Sequence, residues 1–294
     1  MNGDGHPARG VARLVEGRPR DLGGFSVRRL LPAGGLMTVG SFIFFDHIGP
    51  VTFATGAGLD VRPHPHIGLA TVTYLFEGEI FHRDSLGNAL AIRPGDVNWM
   101  VAGRGIAHSE RTAAELRLRP APLHGVQSWV ALPARDEETE PAFVHHPGAT
   151  LPAREIDGVA LRVIAGTAFG LASPVQVFSP TLYADARLDP GATLVLPAEH
   201  AERAVYVAAG TLQVEASRFD AGCLLVLEAG ESVALYAPAG ARLMLLGGAP
   251  LDGPRYIWWN FVSSRRERID QASEDWRAGR FAAVPGETER IPLP

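Results

Sequence analysis

The sequence predicts an all-β protein in which one barrel unit is used twice, followed by a single C-terminal helix. Three observations carry this. Short β-type runs recur between turn residues, and the 33 Gly and 23 Pro supply that punctuation. One Tyr-to-Gly pattern occurs in each half of the chain. Only one stretch spaces its apolar residues as a helix does.

In chain order, residues 1–10 are rich in Gly and Pro and are expected as a mobile tail that includes His6. Short strands follow at 41–45, 70–76, 80–81, 89–92, 97–100 and 126–132. Between them stand Glu77-Gly78, Leu86-Gly87-Asn88 and Arg93-Pro94-Gly95-Asp96. Strands this short and regular suit a sandwich or barrel. The pattern breaks over 133–152, where Asp136, Glu137, Glu138 and Glu140 read as a connection. One strand is expected there, around Phe143-Val144.

A second β-rich stretch covers 159–247. Tyr206-Val-Ala-Ala-Gly210 repeats Tyr74-Leu-Phe-Glu-Gly78, and Ala229-Gly-Glu231 repeats Pro94-Gly-Asp96, in the same order. This suggests a duplicated unit. Near the end, Ser264 and Glu267 make a capping box. Ile269, Ala272 and Trp276 share one helical face, and Gly279 stops the helix. Trp258 and Trp259 are expected as core anchors.

Composition excludes several classes. The net charge of -5 and the scattered basic residues, all arginine, leave no footprint for nucleic acid. No apolar run approaches the roughly 20 residues that span a bilayer. No charged-then-apolar leader opens the chain. Cys223 is the only cysteine, so no intramolecular disulfide forms and a reducing, cytoplasmic setting is expected.

The chemistry concentrates in His64, His66, His108 and Glu110. Residues two apart on a strand point to the same face. His64 with His66, and His108 with Glu110, can therefore aim two ligand pairs into one barrel. Three imidazoles and a carboxylate suit a transition metal. Pro63 and Pro65 stiffen the first pair, and Gly103 and Gly105 allow a tight backbone approach before the second. Four protein ligands would close a tetrahedral zinc site but leave two positions open on an octahedral iron.

The same residues carry a family resemblance. Arg62-Pro-His-Pro-His66 with Thr71-Val-Thr-Tyr74-Leu-Phe-Glu-Gly78 resembles the first signature of the pirin family. Pro94-Gly-Asp-Val-Asn-Trp-Met100 and Gly103-Arg-Gly-Ile-Ala-His108-Ser-Glu110 resemble the second. Pro180-Thr-Leu-Tyr183, Leu188-Asp-Pro-Gly191 and Gly247-Gly-Ala-Pro-Leu251 extend the likeness through the C-terminal half. The resemblance implies two tandem cupin barrels. It places the metal-binding barrel at 1–133, a linker at 134–158, a second barrel at 159–260 and a helix with tail at 261–294. It implies one divalent metal, iron(II) first and Mn, Ni, Co, Cu or Zn as alternatives, on His64, His66, His108 and Glu110. Glu110 is also the expected catalytic base. Many pirins have Arg-Gly-Phe-Glu where this chain has Ile67-Gly-Leu-Ala70, so Glu110 is left as the carboxylate ligand and the local surroundings become more apolar. The equivalent slots of the second barrel hold Leu196, Ala198, Leu243 and Leu245, which cannot ligate.

The resemblance implies two functions. One is quercetin 2,3-dioxygenase-type cleavage of a flavonol-like substrate with O2. The other is a redox-sensing regulator or adaptor whose iron state controls a protein partner. Neither involves direct nucleic-acid or membrane binding. The remaining candidates have plainer expectations. His47 is a structural histidine beside the ligand segment, and Asp46 could orient a ligand imidazole. His82, with Arg83 and Asp84, belongs to an exposed hairpin. His124 could approach the barrel mouth. His145 and His146 are solvated, His200 is a surface residue, and Cys223 is a small core residue.

Overall fold

A computed structural model describes residues 7–21 and 25–294. The chain falls into two compact units. One comprises Asp21–Val27, His47–Gly148 and Leu251–Pro294; the other comprises the residues up to Arg20, Arg28–Asp46 and Ala149–Pro250. Sequence order and spatial order therefore differ. The N-terminal strand Val11–Glu16 pairs with Cys223–Leu227, with Val11 opposite Leu227. Ala8 and Val11 are buried in that unit's core. Residues 7–10 are thus anchored to the C-terminal half, while His6 lies outside the described residues.

In the unit containing His47–Gly148, two sheets of the described residues form the barrel walls. One runs Asp60–His66, Ile106–Arg111, Ile80–Asp84, Ala89–Ile92. The other includes Ala142–His146, Val97–Val101, Leu69–Glu77 and Ala121–Ala131 as neighbours. These pairs are antiparallel. Val27, Ile48, Phe53, Leu59, Leu75, Ile80, Ile92 and Leu123 pack into one buried apolar cluster of this unit. The expected linker strand exists as Ala142–His146, paired with Val97–Val101. Glu137, in the acidic stretch, is buried and ion-paired with Arg255.

In the other unit, Cys223–Leu227, Glu202–Val214, Ala241–Gly248, Thr181–Leu188 and Val159–Ala168 lie side by side. Ala192–Leu196 and Val233–Ala237 pair with strict alternation of buried and exposed residues. That period of two places Leu194, Leu196, Val233 and Leu235 in one continuous apolar core.

The sequence repeat has a structural counterpart. Tyr74 and Tyr206 are both fully buried. Gly78 and Gly210 have φ of +88° and +76°. A Cβ at either would lie 2.2 Å from a carbonyl oxygen, of Pro122 and of Gly240 respectively. Only glycine fits both the left-handed conformation and the close approach.

The helix spans Arg266–Arg277 and buries Ile269, Ala272 and Trp276. These pack with Ile67, Ala107, Phe261 and Val284. The expected capping box does not form. Arg265 is the N-cap and has no side-chain cap bond. Ser264 instead donates its N–H and Oγ–H to Glu137, at 2.8 and 2.9 Å. A buried carboxylate demands donors more strongly than a solvent-facing helix end does. Gly279 follows the helix at φ +71°. Trp258 is 39% exposed on the hairpin Tyr256–Trp258/Phe261–Ser263 and is not a core anchor. Trp259 packs against Trp276.

Candidate metal centre

His64 stands directly opposite His108 on adjacent antiparallel strands. His66, two residues along, shares the face of His64. The ring centroids lie 4.4 Å apart for His64–His108, 5.0 Å for His64–His66 and 5.1 Å for His66–His108. One nitrogen from each ring falls within 4.8 Å of the other two. Three neutral nitrogens at this spacing can surround a transition-metal ion.

Hydrogen bonding fixes which nitrogen faces the centre. His64 Nδ1 lies 2.9 Å from the Arg62 carbonyl and His66 Nδ1 lies 3.2 Å from the Asn260 carbonyl. A carbonyl only accepts, so each Nδ1–H donates and each Nε2 keeps its lone pair for a metal. His108 is 1% exposed, and neither of its ring nitrogens has a hydrogen-bond partner among the described residues. A buried polar atom without a partner costs about 1–3 kcal/mol, and a coordinated cation would answer it. Burial pushes His66 and His108 well below the ordinary histidine range. Burial also lowers His64, against the opposing pull of the Arg62 carbonyl and Glu110. All three rings are therefore held neutral, as ligands must be.

Glu110 shares the face of His108 and is buried, but it is not part of the three-imidazole set that meets within 4.8 Å. Its carboxylate accepts from Gln127 Nε2 at 2.9 and 2.8 Å and from Thr73 Oγ1 at 3.1 Å. Thr73 and Gln127 stand opposite each other on neighbouring strands of the facing sheet. The register slips between His108 and Glu110, where Glu110 pairs with Val61 rather than Arg62. A bulge of this kind re-aims side chains. Close backbone approach braces the region. Gly103 has φ +48°, and a Cβ there would meet the Thr139 carbonyl oxygen at 2.0 Å.

Among the other histidines His82, His145 and His200 depart from expectation, whereas His47 is buried and hydrogen-bonded as a structural histidine. His82 and Asp84 are buried, at 3% and 0% exposure, rather than in an exposed hairpin. His82 Nε2 lies 3.0 Å from Asp84 Oδ2. Burial raises the Asp84 carboxyl, but the donors His82 and Asn88 outweigh it and hold it below its usual value. Asp46 does not orient an imidazole: Arg29 engages both its oxygens at 2.8 Å. His47 and His124 meet Nε2 to Nε2 at 2.7 Å, beside Phe76. His145 is half-buried, with Nδ1 2.8 Å from Asn98 Oδ1. His200 is buried and bonded to the Thr167 carbonyl at 2.8 Å, not a surface residue. Cys223 is half-buried against the apolar core, and burial raises its thiol. Ile67 faces Phe261 and the helix. Leu196, Leu243 and Leu245 lie in the second core, whereas Ala198 is exposed past a strand end.

Sequence reasoning missed Thr73, Gln127 and Trp129, whose ring sits edge-on to His66 at 5.1 Å. The signal was present: Gln127 and Trp129 are two apart on one strand, on the face shared with Thr73 across the pair.

Two β-barrel units with a buried three-histidine cluster define the class, a two-domain cupin of which one domain carries a metal-binding set. The Pirin family profile matches residues 24–130, and the Pirin C-terminal cupin domain matches 183–282. A pirin-like protein of Caulobacter vibrioides is 50% identical over 96% of this chain and 98% of its own. A Pseudomonas aeruginosa protein named as a candidate quercetin 2,3-dioxygenase is 41% identical over 94% of this chain and 88% of its own. The crystal structure of quercetin 2,3-dioxygenase from Acinetobacter baumannii superposes with a TM-score of 0.90, at 34% identity, covering 96% of this chain and 94% of that one. The chain belongs to the pirin family. No helix among the described residues is long and apolar enough to cross a membrane.

Proposed function

We propose that this protein is a metal-dependent dioxygenase that opens a flavonol-like ring with O2, in the manner of quercetin 2,3-dioxygenase. The observation that carries the reading is His108, a buried imidazole with both nitrogens unpartnered, between two imidazoles whose Nε2 lone pairs are free. Such an arrangement is costly without a cation, and a cation on the lone pair of one His108 nitrogen removes one of its two unsatisfied polar atoms. The names of similar proteins point to the reaction.

His64, His66 and His108 would hold the metal, with Glu110 as the carboxylate that completes the set. Iron(II) is the first choice, and it would supply redox capacity together with open positions for substrate and O2. The chain's own residues do the rest. Glu110, steered by Thr73 and Gln127, accepts the proton of the substrate's 3-hydroxyl. His64 and Glu110, at 7% and 5% exposure against 1% for His66 and His108, mark the side from which a guest arrives. Trp129 and the buried walls exclude water. Both atoms of O2 end in the ring-opened ester, and ring carbon 3 leaves as carbon monoxide, so the atoms balance.

The test loads the protein with iron under argon and adds quercetin and air. Bleaching of the flavonol absorption with release of carbon monoxide is expected. Absence of turnover with Fe, Mn, Ni, Co and Cu alike would overturn the assignment.

A further inference from the structure

The buried pair His82–Asp84 has no part in the reading above, yet it lies against the cluster. Glu110 stands opposite His82, and His108 stands opposite Asp84, on adjacent strands. His64 and His66 each have a backbone carbonyl that fixes their ring plane; His108 has none. Its orientation must come from packing. Among the described residues three imidazoles surround it, His64, His66 and His82, the last at 5.4 Å between centroids. The first two belong to the proposed metal set. His82 does not, so it is the one imidazole able to act as a fixed reference.

His82 is well fixed. Its face stacks on Phe143 at 4.4 Å and 16°. Its Nε2–H donates to Asp84 Oδ2. Asp84 is immobilised in turn by the turn that follows it. Its Oδ1 accepts from Leu86 N–H at 2.9 Å and Asn88 N–H at 3.1 Å, and the Asn88 amide reaches both oxygens at 3.0 and 2.9 Å. With Nε2 committed and the residue outside the group that meets within 4.8 Å, His82 is not a fourth ligand.

We propose that His82 is a positioning residue for the metal centre: clamped between Phe143 and Asp84, its ring sets the plane of His108 and so the direction of that ligand. The inference rests on the reading that His64, His66 and His108 bind a metal. Groups that orient ligands typically contribute 10–100-fold to metal affinity.

The test titrates cobalt(II) alone into the intact metal-free chain under argon, following the visible ligand-field bands and the dissociation constant. The unaltered chain should bind one ion. His82→Ala should weaken binding about 10–100-fold and shift the bands, with far-UV circular dichroism unchanged. His82→Phe, which keeps a ring on Phe143, should recover most of the affinity and the original bands. In a His108→Ala background, His82→Ala should add no further loss. Unaltered affinity and bands in His82→Ala would overturn the proposal, as would His82→Phe binding no better than the alanine variant. If the unaltered chain takes up no cobalt, or His64→Ala binds it equally well, the metal reading falls and the positioning role falls with it. Those results are distinct from a failure confined to His82.

Discussion

Glu110 and Gln127 meet across the barrel interior, with both carboxylate oxygens within 2.9 Å of one amide nitrogen. Glu110 comes from one sheet and Gln127 from the other, so the contact ties the two walls at the level of the histidines. Hydrogen bonds to a charged group contribute about 1.5–3 kcal/mol. Gln127→Leu should therefore destabilise the metal-free protein by about that amount in guanidinium unfolding. In a Glu110→Gln background the same change should cost markedly less, because the partner charge has gone. Equal losses in both backgrounds would show that Gln127 acts through packing alone.

The orphaned nitrogens of His108 separate stability from function. Replacing an unsatisfied polar group by an apolar one of similar size is close to neutral or stabilising. His108→Leu should leave the melting temperature of the metal-free protein unchanged or raised. Added iron(II) or nickel(II) should then raise the melting point of the unaltered protein only, since a ligand that binds the native state alone stabilises it. A large loss of metal-free stability in His108→Leu would mean that the ring has a protein partner.

Much of this was legible in the sequence because strands repeat every two residues. That period alone placed His64 with His66 and His108 with Glu110 on shared faces. It could not name what they would face. Thr73 and Gln127 are ordinary strand residues until the register Thr73–Gln127 sets them together under Glu110. His82 and Asp84 likewise looked like part of an exposed turn until Ile106–Arg111 paired alongside them. Alternation marks strands but not their sheet, and nothing in residues 11–16 announces that Val11–Glu16 pairs with Cys223–Leu227, more than 200 residues along the chain. Ser264 shows a local signal losing to a distant one: its capping role gave way to a buried carboxylate 127 residues away.

Acid should release both stability and metal. Burial holds His64, His66 and His108 below their ordinary value in the fold, whereas an unfolded histidine titrates near roughly 6.5. Below that pH the unfolded chain binds more protons, so stability rises with pH across the window and is lost as pH falls through it. The slope can reach about 1.4 kcal/mol per pH unit for each such histidine. Melting temperatures of the metal-free protein between pH 5 and 8 should fall toward the acid end. His108→Leu, with one fewer such group, should flatten the curve. An identical slope in the two proteins would assign the acid sensitivity to other histidines.

The C-terminal tail braces the ligand strands from behind. On Ile106–Arg111, His108 and Glu110 face inward while Ser109 and Arg111 lie between and beyond them on the other face. Glu287 accepts from Ser109 Oγ at 2.8 Å and from Arg111 Nε and Nη2 at 2.8 and 2.7 Å. Ile291 N–H reaches the Pro63 carbonyl at 2.8 Å, one residue before His64. The tail thus holds both strands that carry the histidines. Arg111 first, against the effect of burial and with help from Ser109, keeps Glu287 below the usual carboxylate range. A depressed carboxylate stabilises the fold above its unfolded value, near roughly pH 4.3, and that contribution is lost as pH falls further. Glu287→Ala should lower stability by about 1.5–3 kcal/mol at neutral pH. It should also speed amide exchange selectively in Asp60–His66 and Ile106–Arg111, and weaken metal binding without touching any ligand. Faster exchange spread evenly over both units, with metal affinity intact, would show that the tail stabilises the fold generally and has no particular hold on the histidine strands.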